Sequence, residues 1–100
     1  AEILEKQVRV RHACEAETSM LLVLKPDLVD KDAMKTVEAP AEGYSPKDGV
    51  QRFKPFAEVT KSGVIGVPAV ATVEKGEKLL AAAAQAISDA VDHGIWPQAA

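Results

Sequence analysis

The sequence contains one cysteine, Cys14, and so cannot close a disulfide within itself. A lone thiol suits a reducing compartment, and a cytoplasmic location is the expectation. Aromatic residues are scarce, with Tyr44, Phe53, Phe56 and Trp96 the only ones present. Histidine is rarer still: His12 and His93 lie near opposite ends, and neither has a second histidine at metal-ligand spacing. A hydrolytic zinc-type centre takes about three protein ligands, so a complete one is not expected within this chain. No apolar run reaches the roughly 18 residues of a spanning helix, and no membrane association is expected. Lys and Arg total 12 against 15 Asp and Glu, a net charge of −3. With no basic stripe, nucleic acid is not an expected partner. Ala1 to Lys6 carry acids and no basic flank ahead of an apolar stretch, unlike a secretory signal. The chain also lacks an initiating Met, so it is expected to begin within a longer protein or to have been processed.

What is present argues for a folded chain. Hydrophobic residues make up 47% of the 100 positions, too many for a disordered segment. One domain at most is expected, with a modest core. Alanine is used heavily, as in Ala81 to Ala84. Small side chains permit close approach but bury little apolar area each, which suits a piece packed against something larger.

Val8 to Arg11 alternate apolar with basic, the period of a half-buried strand. His12 lies at its carboxyl end. Glu17 to Lys25 is richly apolar, and its Met and Leu content favours a helix. Pro26 stops that helix by restricting the residue before it. Asp27 to Met34 reads as a short helical turn with Leu28, Val29 and Met34 facing inward, and Asp27, Asp30 and Asp32 as a solvated acidic face. Residues 36–49 hold Pro40, Gly43, Pro46 and Gly49 and read as an irregular loop. Val50 to Ser62 alternates loosely and is expected to hold a strand broken by Pro55. Gly63, Gly66 and Pro68 imply a sharp turn or a close backbone approach.

Residues 73–93 form the clearest element. Thr72 is a suitable N-cap, Glu74 complements the helix dipole, and Gly94 suits the carboxyl end. Leu79, Leu80, Ala83, Ala86, Ile87, Ala90 and Val91 recur at helical spacing and form one apolar stripe. Gly76 costs about 1 kcal/mol against alanine in a helix, so a close contact is expected there. Trp96 is expected to pack against another chain or a portion beyond this one.

Between the first strand and helix, His12-Ala13-Cys14-Glu15-Ala16-Glu17-Thr18-Ser19 gathers an imidazole, a thiol, two carboxylates and two hydroxyls. A histidine at a strand end can present a ring nitrogen to a substrate or metal, and Glu17 could aim its carboxylate into the same crevice. The plainer alternative is that Glu15 and Glu17 are helix-start acids and His12 a hydrogen-bonded turn residue. Cys14 is expected to pack rather than react, although residues two apart on a strand share a face and His12 could serve it as a base. Glu74 and Lys75 read as solvated charges of the helix start.

The string His12-x-x-x-x-Glu17-Thr18-Ser19, followed by Met20-Leu21-Leu22-Val23-Leu24-Lys25-Pro26-Asp27-Leu28-Val29, resembles a hallmark of the creatininase family. Gly63-Val64-Ile65-Gly66-x-Pro68-x-x-Ala71-Thr72-x-Glu74-Lys75-Gly76 resembles a second. Their order and separation match that family's carboxy-terminal third. The resemblance implies an α/β class, a layered α/β/α fold of which residues 1–100 are the C-terminal portion. It implies an amidohydrolase that cleaves a cyclic or linear amide C–N bond, with two zinc or manganese ions activating water. His12 then matches the histidine that transfers protons to the departing nitrogen. Glu17 matches a glutamate in or beside the metal shell, with Thr18 and Ser19 capping the helix and orienting it.

This sequence departs from the family pattern in two ways. The family's other ligands come from upstream Glu-x-His, aspartate and Asn-Gly-His segments that this chain does not contain. Cys14 stands where several members have glycine, and Val67 where many have aspartate. An N-terminal portion or separate subunit carrying the remaining ligands is therefore an expected partner, and the resemblance further implies a small amide substrate and an oligomer such as a hexamer. The rival expectation is a non-catalytic structural or regulatory subunit that keeps the fold.

Overall fold

The computed structural model describes residues 3–6, 10–40 and 54–94. The first helix, α1, spans Glu15–Leu24. It begins before the Glu17 start that composition suggests, because Glu15 also suits a first turn whose free N–H groups favour acids. Its end follows the proline rule: Lys25, at φ −149°, has left the helical region ahead of Pro26. A 3₁₀ turn, Pro26–Leu28, and helix α2, Lys31–Thr36, replace the single turn expected over Asp27 to Met34. Asp30 divides them as an N-cap, its Oδ1 accepting from the Ala33 N–H at 3.0 Å. Leu28 does not face inward as expected; it is 70% exposed.

Residues 37–40 are irregular, and 41–53 of the expected loop and strand region lie outside the described residues. Of Val50 to Ser62, residues 54–62 are described, and they hold a helical turn, α3, Phe56–Val59, and no strand. Phe56 and Val59 are three apart, a spacing that serves a helix face as well as a loose alternation. Pro55, at φ −56°, pre-sets the helical entry.

The strand expected over Val8 to Arg11 is likewise not seen. Val8 and Arg9 lie outside the described residues, and Val10 and Arg11 have irregular backbone. Among the described residues pairing is confined to one antiparallel bridge between His12 and Ile65. The described residues thus contain helices and an isolated bridge but no strand, and the sheet of the α/β expectation is not among them. A single strand segment without its neighbours has no ladder to join.

Helix α4, Val73–His93, has the expected bounds. Thr72 Oγ1 accepts from the Lys75 N–H at 3.1 Å, and Gly94, at φ 87°, ends it. Helix α1 packs on the first turns of α4 at Gly76. A Cβ added there would lie 2.6 Å from the Ser19 carbonyl carbon and 2.8 Å from Val23 Cγ2, and would overlap the Ser19 carbonyl oxygen. Among the described residues the buried apolar side chains are Cys14, Ala16, Leu22, Pro68 and Ala71, of which Leu22 alone is a large aliphatic, worth roughly 1.5–3 kcal/mol on burial. Farther along α4 the apolar stripe is uncovered, with Ile87 66% and Val91 61% exposed.

Candidate functional site

The segment from His12 to Ser19 turns sharply at Ala13, which has φ 48°. Alanine avoids this left-handed region, where its Cβ crowds the following carbonyl. The first turn of α1 grips both sides of the residue. Glu17 Oε2 accepts from the Ala13 N–H at 2.9 Å, and Thr18 Oγ1 donates to the Ala13 carbonyl at 3.2 Å. Glu17 is the third helical residue, so its carboxylate reaches back as the acid of a capping box does, one residue beyond the cap.

This turn separates groups that a strand would have aligned. His12 is exposed, whereas Cys14 is fully buried. The Cys14 sulfur accepts from the Arg11 N–H at 3.2 Å, so it packs and bonds as a small core residue. A shared face for His12 and Cys14 is thereby corrected. Ser19 does not orient Glu17 either. It lies inside α1, where its Oγ accepts from the Thr72 N–H at 3.1 Å and ties the helix to the start of α4. Thr18 likewise bonds back to Ala13 rather than to Glu17.

His12 is held from the opposite segment. Its backbone N–H donates to the Ile65 carbonyl at 3.1 Å, and its carbonyl accepts from the Ile65 N–H at 2.8 Å. Its Nδ1 lies 2.5 Å from the Gly63 carbonyl oxygen. Its ring meets Phe56 edge to face, with centroids 4.8 Å apart at 72°.

Among the described residues the most deeply buried acid is Glu15, with 0% exposure. Its Oε2 lies 2.8 Å from Lys75 Nζ, and its carboxylate accepts from the N–H groups of Glu5 at 2.6 Å and Lys6 at 2.9 Å. Lys75 Nζ also donates to Glu5 Oε2 at 2.9 Å and to the Val70 carbonyl at 2.6 Å. Burial pushes the Glu15 carboxyl upward, but the Lys75 ammonium and the two amides outweigh it and hold the group below its usual value. Burial pulls Lys75 down, but Glu15 and Glu5 outweigh that and raise it above its usual value. Lys75 is therefore not a solvated charge of the helix start. Its acidic partners, Glu5 and Glu15, lie so far off in sequence that no local pattern could have revealed the cluster.

An open apolar cleft of about 320 Å³ adjoins the turn, with Ala13, Thr18, Leu21, Met34, Val64 and Pro68 among its walls. No group of three or more histidines, cysteines or acids gathers at metal-binding distance among the described residues.

The sequence profile of creatinine amidohydrolases matches residues 1–91. The chain belongs to the creatininase family. A creatinine amidohydrolase of Pseudomonas putida is 37% identical over 82 residues, covering 82% of this chain and 30% of that enzyme. The creatininase-family chain therefore spans less than a third of that relative's length. No solved structure matches it. The family is one of hydrolases, and its match extends across the His12 turn, both buried faces of the α1–α4 contact and most of α4. No described helix of this creatininase-family chain is long and apolar enough to cross a membrane.

Proposed function

We propose that the chain forms part of a metal-dependent amidohydrolase that cleaves a cyclic or linear amide C–N bond. The observation that carries this is the exposed, rigidly held His12 beside the Glu17-braced turn, within a match to a hydrolase family. The described residues do not fit a complete metal centre. Glu17 can offer one carboxylate oxygen, since Oε2 accepts from Ala13 N–H, and one such ligand does not fix an ion. The remaining ligands are supplied by an N-terminal portion of the same polypeptide or by a separate subunit, in an oligomeric, cytoplasmic assembly such as a hexamer with a layered α/β/α fold. A bound pair of zinc or manganese ions would supply Lewis acidity and an acidified water.

Within that assembly His12 moves the proton. Water adds to the amide carbon and yields a proton to the imidazole, which passes it to the departing nitrogen as the C–N bond breaks. The sum is one water consumed, one amine and one carboxylic acid formed. Loss of such a general acid–base group costs roughly 10²–10⁴-fold in turnover. In the full-length assembly, Glu17→Gln can still accept from Ala13 N–H, so it removes charge while keeping the turn. Turnover and metal content are expected to fall together, the latter by roughly 10–100-fold in affinity. Unchanged turnover and metal content would overturn the assignment.

A second reading is a non-catalytic subunit of the same fold. It is favoured by the structural use of the Glu17 carboxylate at Ala13 and by the lack of a three-ligand group among the described residues. Such a subunit binds its partner equally well after metal is stripped and after His12→Ala.

A further inference from the structure

The segment that faces His12 is built as a rigid cradle. Thr60 is buried, and its Oγ1 donates to the Val64 carbonyl at 2.7 Å. Ser62 Oγ donates to the Glu38 carbonyl at 2.9 Å and accepts from the Val64 N–H at 3.2 Å. The Gly66 N–H donates to the Pro40 carbonyl at 2.8 Å. Between these ties Gly63 adopts φ +86°, a conformation that L side chains rarely take, although open space surrounds it. The constraint at Gly63 is thus its backbone shape, which aims the carbonyl at the histidine ring.

A carbonyl oxygen only accepts hydrogen bonds, so the Nδ1 that meets it must carry the hydrogen. The neutral ring then keeps its lone pair on Nε2. Imidazole free in water favours the opposite tautomer, with the hydrogen on Nε2. The tautomer of a histidine is set by the partner of its other nitrogen, and here that partner is fixed. Phe56, itself 47% exposed, abuts the ring edge to face and limits its rotation.

We propose that Phe56 and the Gly63 carbonyl are positioning groups that hold His12 as the Nδ1–H tautomer and leave Nε2 as the atom that exchanges protons. The role of Nε2 rests on the hydrolase reading given above; the tautomer does not. During hydrolysis Nε2 takes the water proton, the Nδ1–H stays on Gly63, and Nε2 returns the proton to the departing nitrogen. The ring ends in the tautomer in which it began, so no rotation is needed between turnovers.

The test is ¹⁵N spectroscopy of the histidine-labelled full-length assembly, with the His12 signals assigned, at a pH where His12 is neutral, and parallel kinetics of the same protein. The expected wild-type spectrum has a pyrrole-type Nδ1 and a pyridine-type Nε2. Phe56→Ala is expected to lose the Nδ1–H excess, and Phe56→Tyr to retain it. Both variants should keep the wild-type circular dichroism, because Phe56 is half exposed. In the assembly Phe56→Ala should lower kcat with KM unchanged, and Phe56→Tyr should restore it. A wild-type ring protonated on Nε2, or a tautomer indifferent to Phe56→Ala, overturns the positioning whatever the activity. The expected tautomer together with unaltered kcat in Phe56→Ala overturns the proton role of Nε2 alone.

Discussion

At Ala13 the backbone is left-handed in a residue that carries a Cβ, and two side chains of α1 hold it there. Relieving the crowding gains about 1–2 kcal/mol, while glycine returns about 0.4–1 kcal/mol of unfolded-chain entropy. Ala13→Gly should therefore leave the urea midpoint nearly unchanged or slightly raised, whereas Ala13→Val should lower it clearly. The same turn explains what could be read at this scale and what could not. The helix-start acids at Glu15 and Glu17 and the packing role of Cys14 follow from residue type and position. The Gly63 carbonyl and Phe56 ring that hold His12 come from a distant segment with no local sign of the encounter.

The Glu15–Lys75 pair makes stability depend on pH at both extremes. Glu15 titrates below its ordinary 4.5 when folded, so its contribution is present above that value and is lost as pH falls through the folded value. Lys75 titrates above its ordinary 10.5, so its contribution is complete below that value and is lost as pH rises through the folded one. Urea midpoints should form a plateau between these limits and decline outside them. Lys75→Met leaves a buried carboxylate without its cation and should cost about 3–5 kcal/mol at neutral pH. A flat acid limb in the wild type, or a neutral Lys75→Met, would contradict this description of the pair.

Between elements, the α1–α4 crossing turns on Gly76. Alanine there gains about 1 kcal/mol in helix propensity, yet its Cβ would collide with the Ser19 backbone rather than with a mobile side chain. Overpacking of this kind costs typically 1–3 kcal/mol, so thermal denaturation of Gly76→Ala should show a net loss. This contact was legible, because a glycine amid strong helix formers implies a reason for its presence. Helix α4 was legible for the same cause: cap, stripe and terminal glycine all agree within one continuous segment. The strands expected near Val8 and Val50 rested on short alternations alone. Around Phe56 and Val59 that spacing proved to be a helical turn, since three-residue spacing does not separate the two periods.

Across the whole molecule, the far half of α4 carries its apolar stripe into solvent, with Ile87 and Val91 largely exposed. Within this chain alone, Ile87→Ser should change stability by no more than about 0.5 kcal/mol, as for other surface positions. A loss of several kcal/mol by calorimetry would show that the stripe is packed. The few large buried side chains among the described residues agree with a chain that spans 30% of its Pseudomonas relative. Fold class is the property least readable from such a span, because a sheet needs neighbours to be recognised. The hydrolase family was readable because the two motif strings, around the site turn and the start of α4, both lie within the matched residues 1–91.

The most direct test of the proposed shared hydrolytic centre is native mass spectrometry of the assembled protein beside its Glu17→Gln variant. The hydrolase account predicts divalent metal bound in an assembly of this chain with the polypeptide that supplies the other ligands, and metal lost in the variant. An assembly that forms without metal, or holds it equally in both proteins, would contradict that account and leave the non-catalytic subunit standing.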